Sequence, residues 1–257
     1  AYLIHDEASG DTALIDAPEP APILAELNAR GWTLDQILLT HHHWDHIDGV
    51  AAIVEATSAA ILGAESDAHR LPPLTRGLIE GDVVQIGGEY GHVIDVPGHT
   101  VGHIAFYFPD SGLAFTADSL MAGGCGRLFE GTPDQMWHSL CKLAQLPPET
   151  LICSGHEYTA SNLRFAATID PDNAALQARI EEGRRQRVGG GQPLGHHLPG
   201  VPHVRLPPEL DVDDVHALAG LAADGLHPGR AEQGGFDGLG DERLDLLRGE
   251  AGALGQD

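Results

Sequence analysis

Thr40-His41-His42-His43-Trp44-Asp45-His46 places five side chains able to bind a metal, four imidazoles and a carboxylate, within seven residues. The set follows directly on Gln36-Ile37-Leu38-Leu39, an apolar run that reads as a buried strand whose end delivers side chains into a cleft. Successive side chains of an extended segment alternate, so His41 and His43 share a face and can grip one ion together while His42 faces away. Asp45 and His46 come where the chain turns into a helical-looking stretch, Asp48 to Glu55, and leave at a different angle. A second ion beside the first is their natural use. One isolated histidine is usually a surface residue; four with an aspartate at this spacing point to a metal site. Imidazole and carboxylate together suit Zn, Mn or Fe.

The pattern His-x-His-x-Asp-His resembles the signature of the metallo-β-lactamase superfamily, which directs attention to ligands further along. In Pro97-Gly98-His99-Thr100-Val101-Gly102-His103, a rigid turn can aim His99 into the same cleft, and the segment has the form of that superfamily's third metal motif. His103 begins the next strand and reads as a hydrogen-bonding core residue. Asp118 stands just beyond the apolar strand Leu113 to Thr116, and His156 follows another, Leu151 to Ser154. Alone, Asp118 would more often cap a turn. Its place in the order of motifs makes it the bridge, since one carboxylate can bind two cations and offset their mutual repulsion.

The resemblance therefore implies two divalent ions per chain. His41, His43 and His99 suit the first; Asp45, His46 and His156 suit the second; Asp118 lies between. Zinc is expected, and such ligands also accept iron or manganese. Four protein ligands or fewer per ion leave room for a shared water, as in catalytic sites. Zinc lowers the pKa of such a water to about 7. The catalytic group is then a metal-bridging hydroxide held by Asp45 and Asp118.

Two further segments are more specific. Ala122-Gly123-Gly124-Cys125-Gly126-Arg127-Leu128-Phe129-Glu130-Gly131-Thr132 and Gly155-His156-Glu157-Tyr158-Thr159 look like glyoxalase II, the hydroxyacylglutathione hydrolase family, a likeness spanning roughly residues 1 to 187. It implies an α/β (α+β) fold, the αββα sandwich of the superfamily, and hydrolysis of the thioester S-D-lactoylglutathione to D-lactate and glutathione. It also places Arg127 against a glutathione carboxylate by charge-assisted hydrogen bonds, with Phe129 and Tyr158 as neighbouring substrate contacts. Phe129 stands where some members carry Tyr, so the packing is kept and a hydroxyl lost. A persulfide dioxygenase-like enzyme with one iron, or an inactive metal-binding remnant, are the alternatives.

The elements that must position these residues alternate. Tyr2 to His5 and Thr12 to Asp16 read as paired strands, Pro18 to Arg30 as a helix stopped by Gly31, and Ala59 to Leu62 as a short strand. From Gly81 to Phe108 the pattern is β-rich. Helices are expected from Thr132-Pro133, from Thr159 to about Ile169, and from Pro171-Asp172-Asn173 to the basic cluster ending at Arg187. Helices outside two sheets follow. A first strand is expected to be missing at the N-terminus, together with any targeting peptide.

At 257 residues with 42% hydrophobic content the chain can bury a large core. Its formal charge of −24 argues against nucleic acid, which needs a basic face, and no apolar stretch suits a membrane span. Cys125, Cys141 and Cys153 are odd in number and widely spaced, which favours free thiols in a reducing, cytoplasmic setting; a monomer is expected. The expected organisation is a catalytic domain over 1–170, the start of a C-terminal helical segment over 171–188, and an atypical Gly/Pro-rich, acidic and poorly ordered tail over 189–257. That change of composition suggests a frame shift or foreign sequence entering near residues 188 to 195.

Overall fold

A computed structural model describes residues 1–188; the tail from 189 onward, and the expectations placed on it, lie outside the described residues. One sheet holds β1 (Tyr2–His5), β2 (Thr12–Ile15), β3 (Gln36–Leu38), β4 (Ala60–Ala64) and β5 (Arg76–Leu78) in that order. Its first pair is antiparallel and the others parallel. The second sheet runs β10 (Leu151–Ser154), β9 (Leu113–Ala117), β8 (Ile104–Phe108), β7 (Glu89–Asp95), β6 (Val83–Ile86), with only the β10/β9 pair parallel.

The period of two explains the layering. Ala13, Ile15, Leu38 and Leu62 turn toward the other sheet, where they meet Val84, Val93, Phe106 and Phe115 in a shared core. Their chain neighbours Leu14, Ile37, Leu39 and Ile61 point outward, against Ile23 and Leu27 of α1 (Pro20–Arg30) and Val50 and Ile53 of α3 (Val50–Thr57). Strands buried on both faces read as continuous apolar runs, which is why β2 and β3 looked so uniform. On the far side, Ala105 and Val96 pack on Leu143 of α4 (Pro133–Leu143). The order is therefore helix, sheet, sheet, helix.

Most expected elements are present with boundaries shifted by a residue or two. α1 starts at Pro20 rather than Pro18, and Gly31 ends it in the left-handed conformation at φ 69°. α4 opens with a capping box in which Thr132 and Gln135 exchange side-chain to backbone hydrogen bonds. α5 (Thr159–Ile169) and α6 (Ala174–Val188) close the described chain. β5 and the 3-10 turn at Glu65–Asp67 had no expectation.

Candidate metal centre

Every candidate ligand lies in a segment that follows a strand. His41 comes just after β3, Asp118 directly after β9, His156 one residue after β10, and His99 in the loop leaving β7. A single helical turn, α2 (Trp44–Ile47), then carries Asp45 and His46, with His43 at its N-cap. The end of β2 is tied to that turn by hydrogen bonds from Ala17 N to His46 O at 2.7 Å and from Gly49 N to Ala17 O at 2.7 Å. Thr40 O accepts from Ile104 N at 2.9 Å, which joins the ligand loop to the second sheet.

The imidazoles converge. His43 Nδ1 lies 3.1 Å from His41 Nε2 and 3.0 Å from His99 Nε2. The opposite nitrogens of those two partners are engaged elsewhere, His41 Nδ1 with Thr40 Oγ1 at 3.0 Å and His99 Nδ1 with the carbonyl of Arg127 at 2.7 Å. A carbonyl only accepts, so His99 carries its proton on Nδ1 and presents the Nε2 lone pair inward. His46 Nδ1 likewise donates to Asp16 Oδ2 at 2.7 Å, which turns its Nε2 inward. Lone pairs gathered in this way fit a cation better than one another.

Three overlapping groups have ligand atoms mutually within 4.8 Å: His41, His43 and His99; His41, His46 and Asp118; and Asp45, His46 and His156. The first and third are the two sets expected from the sequence. Asp118 stands between them, with Oδ2 3.3 Å from His99 Nε2 and 3.4 Å from His156 Nε2, and Oδ1 3.5 Å from His46 Nε2. His156 Nε2 is also 3.3 Å from Asp45 Oδ2. Both His46 Nε2 and Asp118 Oδ1 are buried without a hydrogen-bond partner. Such atoms are costly to leave unpaired, and a divalent ion between them would satisfy both.

The electrostatics divide the site. Burial lowers the pKa of His41 well below its ordinary value, and burial also lowers His43 and His99. His156 goes the other way, to about 9, through its contacts with Asp118 and Asp45. Burial opposes the charging of His46, but Asp16 and Asp118 outweigh it and push the group up to about 10. Burial likewise opposes ionisation of Asp118, and His156 and His46 overcome it, holding the carboxyl well below the usual range. One half of the cluster is a neutral imidazole set; the other is a carboxylate-rich set with a strong affinity for positive charge.

Several supporting residues were not singled out in the sequence. Asp16 accepts from Thr40 N and Thr40 Oγ1, both at 2.8 Å, besides His46, and it does so from a left-handed backbone at φ 54°. Ala117, immediately before Asp118, sits at φ 42°. Non-glycine residues in this region carry strain of about 1–3 kcal/mol each and persist where their surroundings hold them. The signal that marked Asp118, a carboxylate at the end of an apolar strand, was equally available for Asp16. Gly155 and Gly126 are needed for lack of bulk: a Cβ on Gly155 would come within 2.2 Å of Asp118 Oδ1, and one on Gly126 within 2.0 Å of the Asp118 carbonyl.

His103 is a correction. It is fully buried, but neither ring nitrogen has a hydrogen-bond partner. Instead its ring stacks on His41 with centroids 4.6 Å apart and planes 12° from parallel, and burial takes its pKa down to about 3. It packs as a neutral aromatic plate behind a candidate ligand.

The expected substrate contacts rim the cluster. The Phe129 ring, 59% exposed, meets His43 and His99 edge-on, each at 5.3 Å. Arg127 lays its guanidinium 5.1 Å from the Phe129 ring centre, and among the described residues no carboxylate pairs with it. Tyr158, 53% exposed, lies with its ring 5.5 Å from His156. Cys125, Cys141 and Cys153 are all free.

The layers and the His/Asp cluster define a metallo-β-lactamase fold, and the family model of the metallo-beta-lactamase superfamily matches residues 1–156. A second family model, hydroxyacylglutathione hydrolase C-terminus, matches residues 157–196, nine residues beyond the likeness seen in the sequence. Hydroxyacylglutathione hydrolases of Ruegeria pomeroyi, Jannaschia sp. and Cereibacter sphaeroides are 63%, 64% and 65% identical to this chain. The matches cover 74%, 89% and 70% of it and 74%, 88% and 71% of those relatives. The Jannaschia match, over 228 residues, continues past the point where a frame change was expected. Among solved structures, ETHE1 from Myxococcus xanthus is similar at 27% identity and a TM-score of 0.56, covering 88% of this chain and 93% of that one. TTHA1623 in a di-iron-bound form is similar at 33% identity and a TM-score of 0.54, covering 60% and 85%. The chain belongs to the hydroxyacylglutathione hydrolase family of the metallo-β-lactamase superfamily.

Proposed function

We propose that this protein is a thioester hydrolase that converts S-D-lactoylglutathione to D-lactate and glutathione, using two divalent metal ions, zinc in the first instance. The observation that carries the reading is Asp118, whose one carboxylate reaches histidines of both candidate metal sets. His41, His43 and His99 would hold one ion, Asp45, His46 and His156 the other, and Asp118 both. Bound there, the ions would supply Lewis acidity and a hydroxide at neutral pH.

The chain's own residues do the rest. Asp16 keeps the His46 proton on Nδ1, and the Arg127 carbonyl does the same for His99, so both rings present Nε2 to the cleft. Asp45 adds negative charge beside His156, which strengthens the hold of that set on positive charge, a divalent cation included. Arg127, with no carboxylate of its own among the described residues, is available for a glutathione carboxylate. Phe129 offers an apolar face above His43 and His99, and the Tyr158 ring stands beside His156. Thiols ionise near pH 8.5, so the leaving thiolate departs without a strong acid.

We further place the protein in the cytoplasm as a monomer; among the described residues no helix is long and apolar enough to cross a membrane. The test is a substrate panel on metal-loaded protein. Hydrolysis of lactoylglutathione is expected, with no turnover of a β-lactam or a phosphodiester and no oxygen uptake with glutathione persulfide. Persulfide-dependent oxygen uptake without thioester hydrolysis would replace this reading with the mononuclear iron alternative.

A further inference from the structure

The metal cluster is ringed on one side by a second, separate set of charges. Asp67, at the end of the 3-10 turn after β4, is 1% exposed. Its Oδ2 lies 2.8 Å from Nδ1 of His42, the histidine that faces away from the metal candidates. Its Oδ1 accepts from Arg70 Nε at 2.5 Å. Gly102 sits so close that a Cβ there would meet the Asp67 side chain at 2.5 Å. The carboxylate is therefore held from three sides.

Arg70 turns the other end of its guanidinium to Glu130. Nη1 reaches Oε1, and Nη2 donates to Oε2 at 3.1 Å. Glu130 also accepts from Val101 N at 2.9 Å, and its Oε1 is 3.5 Å from His42 Nε2. Four segments meet here: the ligand loop through His42, the turn after β4, the loop just past His99, and the loop that carries Arg127 and Phe129. That last loop is also stitched down by Phe129 N to His99 O at 3.2 Å and Gly131 N to Gly98 O at 3.0 Å.

A cleft of about 290 Å³ borders this network, lined by Arg70, Glu130, Asp67 and His69 among others. Among the described residues its one guanidinium is already shared by two carboxylates, so the cleft offers little to an anion. The geometry points instead to positioning: we propose that the Arg70–Glu130 pair, anchored by Asp67, clamps the loop carrying Arg127 and Phe129 over the metal cluster and so sets affinity for the thioester. The role assigned to the loop rests on the proposed function; the clamp itself does not. A planar guanidinium fork matches a carboxylate in two parallel bonds, and the two side chains are 28% and 25% exposed.

The experiment compares wild type with Glu130→Gln, Arg70→Ala and the double variant, all metal-loaded. Hydrogen–deuterium exchange of a peptide spanning 126–132 reads the clamp without catalysis. Faster uptake is expected there in each variant, with metal content unchanged. In the assay, KM for lactoylglutathione is expected to rise by a factor of about 5 to 30, as for the loss of one such interaction, while kcat stays within about twofold. The double variant should be no worse than the poorer single, because both remove the same pair. Wild-type exchange in Glu130→Gln, an unchanged KM, additive losses, or loss of metal with a falling kcat would each overturn the clamp. A wild type that exchanges slowly over 126–132 but does not hydrolyse the thioester would remove the proposed function and leave the exchange result to decide the clamp.

Discussion

The floor of the site and its rim are built by different means. The floor, His41, His43, Asp45, His46, His99, Asp118 and His156, hangs from strand ends whose apolar residues fill the cores between and outside the sheets. Its members are oriented by Asp16 on a strained backbone, by the Arg127 carbonyl and by the stacked His103. The rim, Arg127, Phe129 and Tyr158, is exposed, and it follows the framework through loop hydrogen bonds and one part-buried charge network. Tolerance to substitution therefore differs between the two. Changes to the floor should act on metal and rate together, whereas changes to the rim should act on substrate affinity.

The largest effect expected is that of Asp118→Ala. It removes the one carboxylate common to both candidate sets, and metal content and kcat should fall together, the latter by a factor above about 100, since even outer partners of metal ligands cost 10–100-fold. Full metal occupancy in this variant would break the distinction at its strongest point. Gly155→Ala comes next: the added methyl would drive into Asp118 Oδ1. Metal affinity should drop about 10–100-fold, measured by competition with a chelator, although no ligand has been changed. Retained affinity would mean that the strand end relaxes freely, contrary to a rigid floor.

Rim changes should be milder and of another kind. Arg127→Ala removes a charge-assisted contact worth about 1.5–3 kcal/mol and should raise KM for lactoylglutathione about tenfold or more with little loss of kcat. An unchanged KM would make Arg127 a solvated loop residue. Phe129→Tyr is expected to be smallest, lowering KM by about twofold to tenfold if the restored hydroxyl finds a partner in the substrate, with metal content unaltered. A fall in kcat without a change in KM would assign Phe129 to the floor instead.

Much of this contrast was legible in the sequence. The floor was readable because each candidate ligand follows an apolar run, and short buried strands and their polar ends make an unusually clear pattern. His42 was rightly separated from His41 and His43 by alternation alone, and the structure finds it bonded to Asp67. β5 was missed because three residues beginning Arg76-Gly77 carry no periodicity. Asp67 and Arg70 bond each other three residues apart, but they were missed because the partners that tie them to the site, His42 and Glu130, lie 25 and 60 residues away in the chain. His103 was given hydrogen bonds it does not make, since a buried imidazole is normally satisfied, and stacking on another ring leaves no trace in spacing. The glycines at 126 and 155 give no sign in the sequence of their constraint, which is the closeness of Asp118.

In the proposed centre one carboxylate joins two metal sets in a single thioester-hydrolysing site. Titrating metal-free protein with zinc while following lactoylglutathione hydrolysis tests it most directly. Activity is expected to rise to a plateau at two ions per chain; a plateau at one ion, or no hydrolysis at any loading, would contradict the bridged centre.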